Sequence, residues 1–170
     1  MQIVRRVFLL IDGLSSWSGK LVSMLIFPMV VVLTYEVISR YVFDRPTIWA
    51  HETTRYIYGF HFLLGGAYTL FLGSHVNVDI FYVRFSPRTK AIVNVFTYIL
   101  FFLFAGVLLW LGIGMAWQSI LLGESSPTPW HSPYAPLKIA VPLAALLILL
   151  QGLVRYVQNI FTAVTGKEFK

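Results

Sequence analysis

Four long stretches of the chain are almost entirely apolar, and polar or turn-forming residues separate each stretch from the next. A helix that crosses the roughly 30 Å hydrocarbon core of a bilayer needs about 20 apolar residues, so each stretch is long enough for one span. The pattern predicts an all-α integral membrane protein with a single four-helix membrane domain over residues 1–170. The predicted transmembrane helices cover residues 20–43, 49–73, 87–122 and 137–157.

Prolines mark several helix boundaries. Ser86 suits the N-cap and Pro87 the first turn of the third helix, whereas four prolines between residues 123 and 136 exclude a helix there. At 1.5 Å per residue the third helix is about 50 Å long, so it must tilt or protrude. Pro28 lies inside the first predicted span, where we expect it to bend the helix without ending it.

The first residues show a shorter amphipathic pattern. Apolar side chains recur at helical spacing on one face of residues 2–16, opposite Arg5, Arg6 and Asp12. One interpretation is an N-terminal amphipathic helix that lies at the membrane interface. The other is a helical extension of the first span, and the pattern leaves both open.

The composition argues against a soluble protein. Hydrophobic residues make up 58% and charged residues 12% of the 170 positions, and the mean hydropathy is +0.75. Because soluble domains carry about a quarter charged residues, the surplus apolar surface here must face lipid. The chain contains no cysteine, which excludes disulfides, thiolate nucleophiles and iron–sulfur clusters.

The net charge of +6 comes from basic residues that flank the apolar stretches. Because they do not line one polar face, nucleic acid is not expected as a partner. If the chain crosses the membrane four times, one side of the membrane has only four of the 13 Lys and Arg residues: Arg40, Arg45, Arg55 and Lys138. The positive-inside rule then places both termini and the middle loop in the cytoplasm.

A cluster of charged residues is predicted where the first two spans meet. Glu36 and Arg40 end the first span, and Glu52 and Arg55 begin the second, close to the interfacial Trp49. Each pair has helical spacing, so its members can meet on one helix, and pairing between the helices is also possible. As a structural ion-pair cluster these residues would lock the hairpin or dock a partner subunit. Alternatively, Glu36 or Glu52 is an ion or proton site.

The remaining polar residues do not predict a catalytic or metal site. His51, His61 and His75 all belong to the region of the second span and His131 lies in the Pro-rich loop, so we expect no haem-ligating pair across the bundle. We expect His61 to be a packed or hydrogen-bonded polar residue. His75 and Asp79, at the cytoplasmic end of the second span, could form a local pair. No nucleophile with a partnering base, phosphate loop or nucleotide fingerprint occurs. We therefore expect no metal, no cofactor and no enzyme activity.

Several short motifs follow one another in a fixed order. They are YEVISRYVF at 35–43, PTIWAHETTRY at 46–56, the glycine pair at 65–66 and HVNVD at 75–79. Their order and spacing resemble the small membrane subunit (DctQ-like) of tripartite ATP-independent periplasmic (TRAP) transporters. His51 departs from the pattern, because many relatives are expected to have an acidic residue beside Glu52.

The resemblance implies a bacterial inner (cytoplasmic) membrane protein that works with two others. A soluble periplasmic substrate-binding protein would capture an organic acid, and a large multi-span permease subunit would carry it inward by symport, driven by an ion gradient. The small subunit would act as scaffold, surrounded by membrane lipids. Two alternatives remain: a membrane anchor subunit of a respiratory complex that binds quinone or haem, and an independent small exporter or channel.

Overall fold

The computed structural model describes residues 2–73 and 85–166, and all their regular elements are α-helices. Within the described residues, a turn at Met24–Leu25, a short turn before Ile48 and a longer loop before Ala135 connect successive helices. Their bounds are α1 Gln2–Ser23, α2 Ile26–Tyr41, α3 Ile48–Phe71, α4 Pro87–Leu122 and α5 Ala135–Thr165.

The expectation that Pro28 bends the first span without ending a helix is wrong. α1 ends at Ser23 and α2 begins at Ile26, with Met24 and Leu25 in a turn. Proline has no N–H and its ring crowds the carbonyl four residues earlier, which here belongs to Met24. That carbonyl instead accepts from the N–H of Phe27 at 3.3 Å. The break therefore lies one turn before the proline that causes it.

The helices also differ from the predicted ones at other ends. α1 continues seven residues beyond the predicted 2–16, and α5 runs from Ala135 to Thr165 where residues 137–157 were predicted. Polar side chains in its last two turns bond within the helix, as Thr162 and Thr165 do, or to α4, as Asn159 does. Gly166, with φ of 69°, ends it, and its N–H caps the carbonyl of Thr162. α4 has the predicted bounds of 87 and 122.

Helices α3 and α5 form the centre of the bundle. α5 packs along α4 and against α3, α1 packs against α3 and α5, and α2 packs against α3. We call the end with the α2–α3 turn and the loop 123–134 the hairpin end. The end where α3 and α5 finish and α4 starts is called the terminal end.

Small residues set the distances between these helices. At α1–α3 a Cβ on Gly19 would lie 2.1 Å from Cγ of Tyr68, and at α4–α5 a Cβ on Gly152 would lie 2.4 Å from Phe101. In the glycine pair, Gly66 faces Ile148 of α5, whereas Gly65 faces open space. Small side chains permit this close approach, which is how apolar helices associate in lipid. Buried alanines complete the contacts at positions Ala50, Ala67, Ala91, Ala105, Ala116, Ala140, Ala144 and Ala145.

Three segments of the described chain are long and apolar enough to cross a membrane. They are Arg6–Tyr41, Arg88–Leu122 and Ala135–Thr165. The expected four spans with an additional amphipathic helix are not confirmed. α3 is 24 residues long, but His51, Glu52, Arg55 and His61 lower its apolar character.

The contact between α1 and α3 at Gly19 can be tested by substitution. Replacing Gly19 by Ala places a methyl group against the Cβ and Cγ of Tyr68, so α1 must move away from α3. Overpacking of this kind costs about 1–3 kcal/mol. Gly13→Ala is the matched control in the same helix, because nothing lies within 4 Å of a Cβ there. Thermal unfolding of both variants in detergent should show a lower midpoint for Gly19→Ala alone. Equal midpoints would contradict the contact.

Candidate functional site

Three glutamates lie at the hairpin end, and each one joins different parts of the chain. Glu36 lies near the end of α2, Glu52 in the second turn of α3, and Glu124 in the loop between α4 and α5. Glu36 and Glu52 are buried, and the Glu124 side chain is about one third exposed. Because carboxylates are costly to remove from water, their partners define this region.

Glu36 connects the end of α2 to the start of α3. One carboxylate oxygen accepts from Nε of Arg40 at 3.0 Å and from its Nη2. The other accepts from the backbone N–H of Thr47 at 3.0 Å and from its hydroxyl. Thr47 is the N-cap residue of α3, so the negative charge also lies at the positive end of that helix.

Two further contacts support the same hairpin. The hydroxyl of Ser39 donates to the carbonyl of Arg45 at 2.5 Å, and the N–H of Arg45 donates back to Ser39 at 2.9 Å. The rings of Tyr35 and Trp49 pack with their centroids 5.5 Å apart. Trp49 therefore joins α2 to α3 through an aromatic contact.

Glu52 joins α3 to the distant loop. It is 1% exposed, and its carboxylate accepts hydrogen bonds from three hydroxyl groups of residues 126–132. Ser126 donates at 2.6 Å and Thr128 donates to the same oxygen, while Ser132 donates to the other oxygen. Three neutral donors compensate the desolvation of one charge, so this carboxylate has no need of an arginine.

The predicted charge cluster is therefore two separate sites. Glu36 and Arg40 form the expected pair four residues apart. Glu52 does not form an ion pair with Arg55 in the described chain, because Glu52 turns into the bundle while Arg55 is exposed. The guanidinium Nη2 of Arg55 lies 3.5 Å from Nε2 of His51.

The loop 123–134 folds back on itself above α3. The N–H of Ser126 donates to Ser132 at 2.8 Å, and that of Tyr134 donates to Glu124 at 2.9 Å. His131 lies between them with φ of 48°. The hydroxyl of Tyr56 on α3 donates to the carbonyl of Pro133. The loop is thus a compact cover attached to α3.

An ion pair ties the start of this loop to α5. The ammonium of Lys138 donates to the carboxylate of Glu124. This hydrogen bond, with the positive charge of the same lysine, lowers the pKa of Glu124 from its ordinary value. The pair bridges the two ends of the loop, next to α4 and α5.

The interior of the bundle contains polar contacts that sequence reasoning missed. Gln151 of α5 is fully buried, accepts from the hydroxyl of Ser15 at 2.7 Å and donates to the carboxylate of Asp12 at 2.9 Å. The amide of Gln151 in an apolar span could have predicted such contacts, because a buried amide needs a hydrogen-bond partner from another helix. These bonds fix the face of α1 against α5.

His61 of α3 serves the α1–α2 break. Its Nδ1 lies 2.7 Å from the carbonyl of Val22, and since a carbonyl only accepts, Nδ1 carries the proton. The prediction that His61 is a hydrogen-bonded polar residue is confirmed. His75 and Asp79 lie outside the described residues. Among the described ones, no group of three His, Asp or Glu side chains is placed to hold a metal ion.

One family of known proteins matches most of the chain. Residues 29–162 match the family described as "Tripartite ATP-independent periplasmic transporters, DctQ component". The match starts inside α2 and ends inside α5, so it contains the hairpin end as a whole. No curated protein matches the chain.

The role of Glu52 in holding the loop can be tested by Glu52→Gln. The amide keeps one acceptor oxygen but presents an NH₂ group to hydroxyls that now donate to a carboxylate, so the loop should detach more often. We expect limited proteolysis within residues 123–134 to become faster and the unfolding midpoint to fall by several degrees. Asp44→Asn is the control, because Asp44 is an exposed acidic residue in the α2–α3 turn with φ of 54°, which Asn tolerates. If Glu52→Gln is cleaved at the same rate as the parent chain, Glu52 does not hold the loop.

The Glu124–Lys138 pair predicts a dependence of stability on pH. Because the pKa of Glu124 is lowered in the folded chain, its ionised form stabilises the fold above the ordinary pKa of glutamate. This contribution is lost as the pH falls through the lowered folded value. Lys138→Met should reduce the midpoint at neutral pH, and its difference from the parent chain should shrink on acidification. Lys20→Met, an exposed lysine of α1, is the control. A difference that does not change with pH would contradict the prediction.

Proposed function

The chain belongs to the family of DctQ components of tripartite ATP-independent periplasmic transporters, and on that premise we propose that it is the scaffold of such a transporter. It holds a large multi-span permease subunit in the membrane during ion-gradient-driven uptake. The substrate is an organic acid delivered by a periplasmic binding protein. The match over residues 29–162 carries this proposal.

Membership in this family also bears on the alternatives. The family is one of transporter components, not of enzymes, and its apolar helices agree with a membrane protein. It gives no support to an anchor subunit of a respiratory complex that binds quinone or haem. An independent exporter or channel would have to work without the other two components of a tripartite system.

The polar contacts of the bundle support a scaffold more than a transport path. The buried groups of Glu36, Glu52 and Gln151 bond to neighbouring helices or to the loop. Groups used in this way fix helix positions, whereas a transport path needs polar groups that exchange partners with a solute. The movement of substrate is therefore assigned to the permease.

We infer the orientation of the subunit in the membrane from its charges. The hairpin end holds both ion pairs found in the described chain, Glu36–Arg40 and Glu124–Lys138, and it faces the periplasm. The terminal end is rich in Lys and Arg and faces the cytoplasm with both chain termini. In this orientation the loop 123–134 is accessible to the binding protein. The exposed aromatic residues of α2 and α4, such as Tyr41 and Trp110, face lipid or the permease.

Co-expression with the permease tests the proposal directly. When the tagged chain is purified in mild detergent, a much larger multi-span protein should be retained with it, and uptake in vesicles should require both. Arg40→Ala leaves the buried carboxylate of Glu36 with only Thr47 as partner, so the hairpin loosens. Losing a charge-assisted hydrogen bond weakens an equilibrium by about tenfold, and we expect a similar loss of retained permease.

The control and the contrary result are equally specific. Arg45→Ala removes an exposed arginine side chain of the same turn and keeps the backbone N–H and carbonyl that bond to Ser39. This variant should retain the permease. Substrate preference should not change in either variant. A changed preference with normal assembly would place substrate recognition in this chain. Uptake by the chain alone would refute the scaffold role.

A further inference from the structure

An open apolar groove lies between α4 and α5 at the terminal end. All its lining side chains are hydrocarbon. One wall is the start of α4 and the other is the end of α5. The lining residues are Ile92, Val95, Phe96, Ile160, Ala163 and Val164.

A cation lies at the mouth of the groove. Arg88, Ile92, Val95 and Phe96 are spaced by four, three and one residues, which places them on one face of α4. At 1.5 Å per residue, the groove extends about 12 Å along the helix from Arg88 to Phe96. A positive charge at one end of a hydrocarbon groove of this length fits a phospholipid, whose phosphate headgroup lies at one end of its acyl chain.

The guanidinium of Arg88 is held in place, and its charge has no counter-ion among the described residues. Its Nε donates to the carbonyl of Ala163 at 3.0 Å, which ties the guanidinium to the α5 wall of the groove. Within the described residues it contacts no carboxylate, because both ion pairs there lie at the hairpin end. The start of the 36-residue helix α4 adds its own positive dipole at the same place.

We propose that this groove binds one anionic phospholipid, with an acyl chain along the apolar lining and the phosphate at Arg88. The complementary charge favours an anionic lipid over a zwitterionic one, and the hydrocarbon lining favours a lipid over free phosphate. The site concerns the surface of this subunit alone. It does not depend on the transport role proposed above.

Native mass spectrometry of the full-length chain in detergent tests the headgroup contact. Phosphatidylglycerol added at increasing concentration should bind as one retained copy, and phosphatidylethanolamine should bind more weakly. Arg88→Gln should reduce phosphatidylglycerol retention about fivefold, as expected for one basic residue at a membrane surface. Arg45→Gln makes the same change in charge at the hairpin end and should have no effect. Equal effects of the two variants, or equal retention of the two lipids, would overturn the proposal.

Filling the groove tests the acyl-chain contact. Ala163→Phe places a ring in the groove, whereas Leu100→Phe places a ring at an exposed position of α4 outside it. We expect Ala163→Phe alone to lose phosphatidylglycerol, with circular dichroism and the unfolding midpoint of both variants used to check the fold. Inorganic phosphate at millimolar concentration should not compete. Retention by a folded Ala163→Phe chain, or displacement by phosphate, would show that the groove does not hold a lipid chain.

Discussion

The carboxylate of Glu52 connects the two halves of this bundle. It lies on α3, which packs with α1 and α2, and it accepts hydrogen bonds from Ser126, Thr128 and Ser132 in the loop that joins α4 to α5. A charge buried this deeply is tolerated only when donors surround it, so the loop must close over α3. The covered hairpin end, the compact loop and the position of α5 beside α3 all follow from this contact.

The same constraint shapes the rest of the bundle. An apolar helix gains little by packing against another in lipid, so small residues and paired polar groups decide which faces meet. Gln151 of α5 bonds to Ser15 and Asp12 and so fixes which face of α1 packs against α5. His61 of α3 donates a hydrogen bond to the carbonyl of Val22 beside the α1–α2 break. These polar groups bond to other parts of the chain, which agrees with the proposed scaffold role.

The two ends of the bundle differ in how they use charge. At the hairpin end, acidic and basic side chains neutralise one another and close the turn and the loop. At the terminal end, Arg88 and Arg155 donate to the backbone carbonyls of Ala163 and Phe71 and keep their positive charge. A carbonyl accepts a hydrogen bond without cancelling the charge, so this end attracts anions. The difference connects the proposed orientation in the membrane with the proposed lipid site.

Sequence alone determined what depends on neighbours along the chain, and only tertiary structure decided what depends on how the helices face one another. Apolar length and prolines predicted the α4 helix and the non-helical loop, spacing predicted the Glu36–Arg40 pair, and ordered motifs indicated the family. The partners of Glu52 lie 74 to 80 residues away, and the carbonyl that His61 meets lies 39 residues away. Local spacing cannot specify such contacts, because they depend on the rotation and depth of separate helices. The break before Pro28 combines the two kinds of cause. The proline that causes it is local, but the hydrogen bond that His61 makes beside it is a tertiary contact.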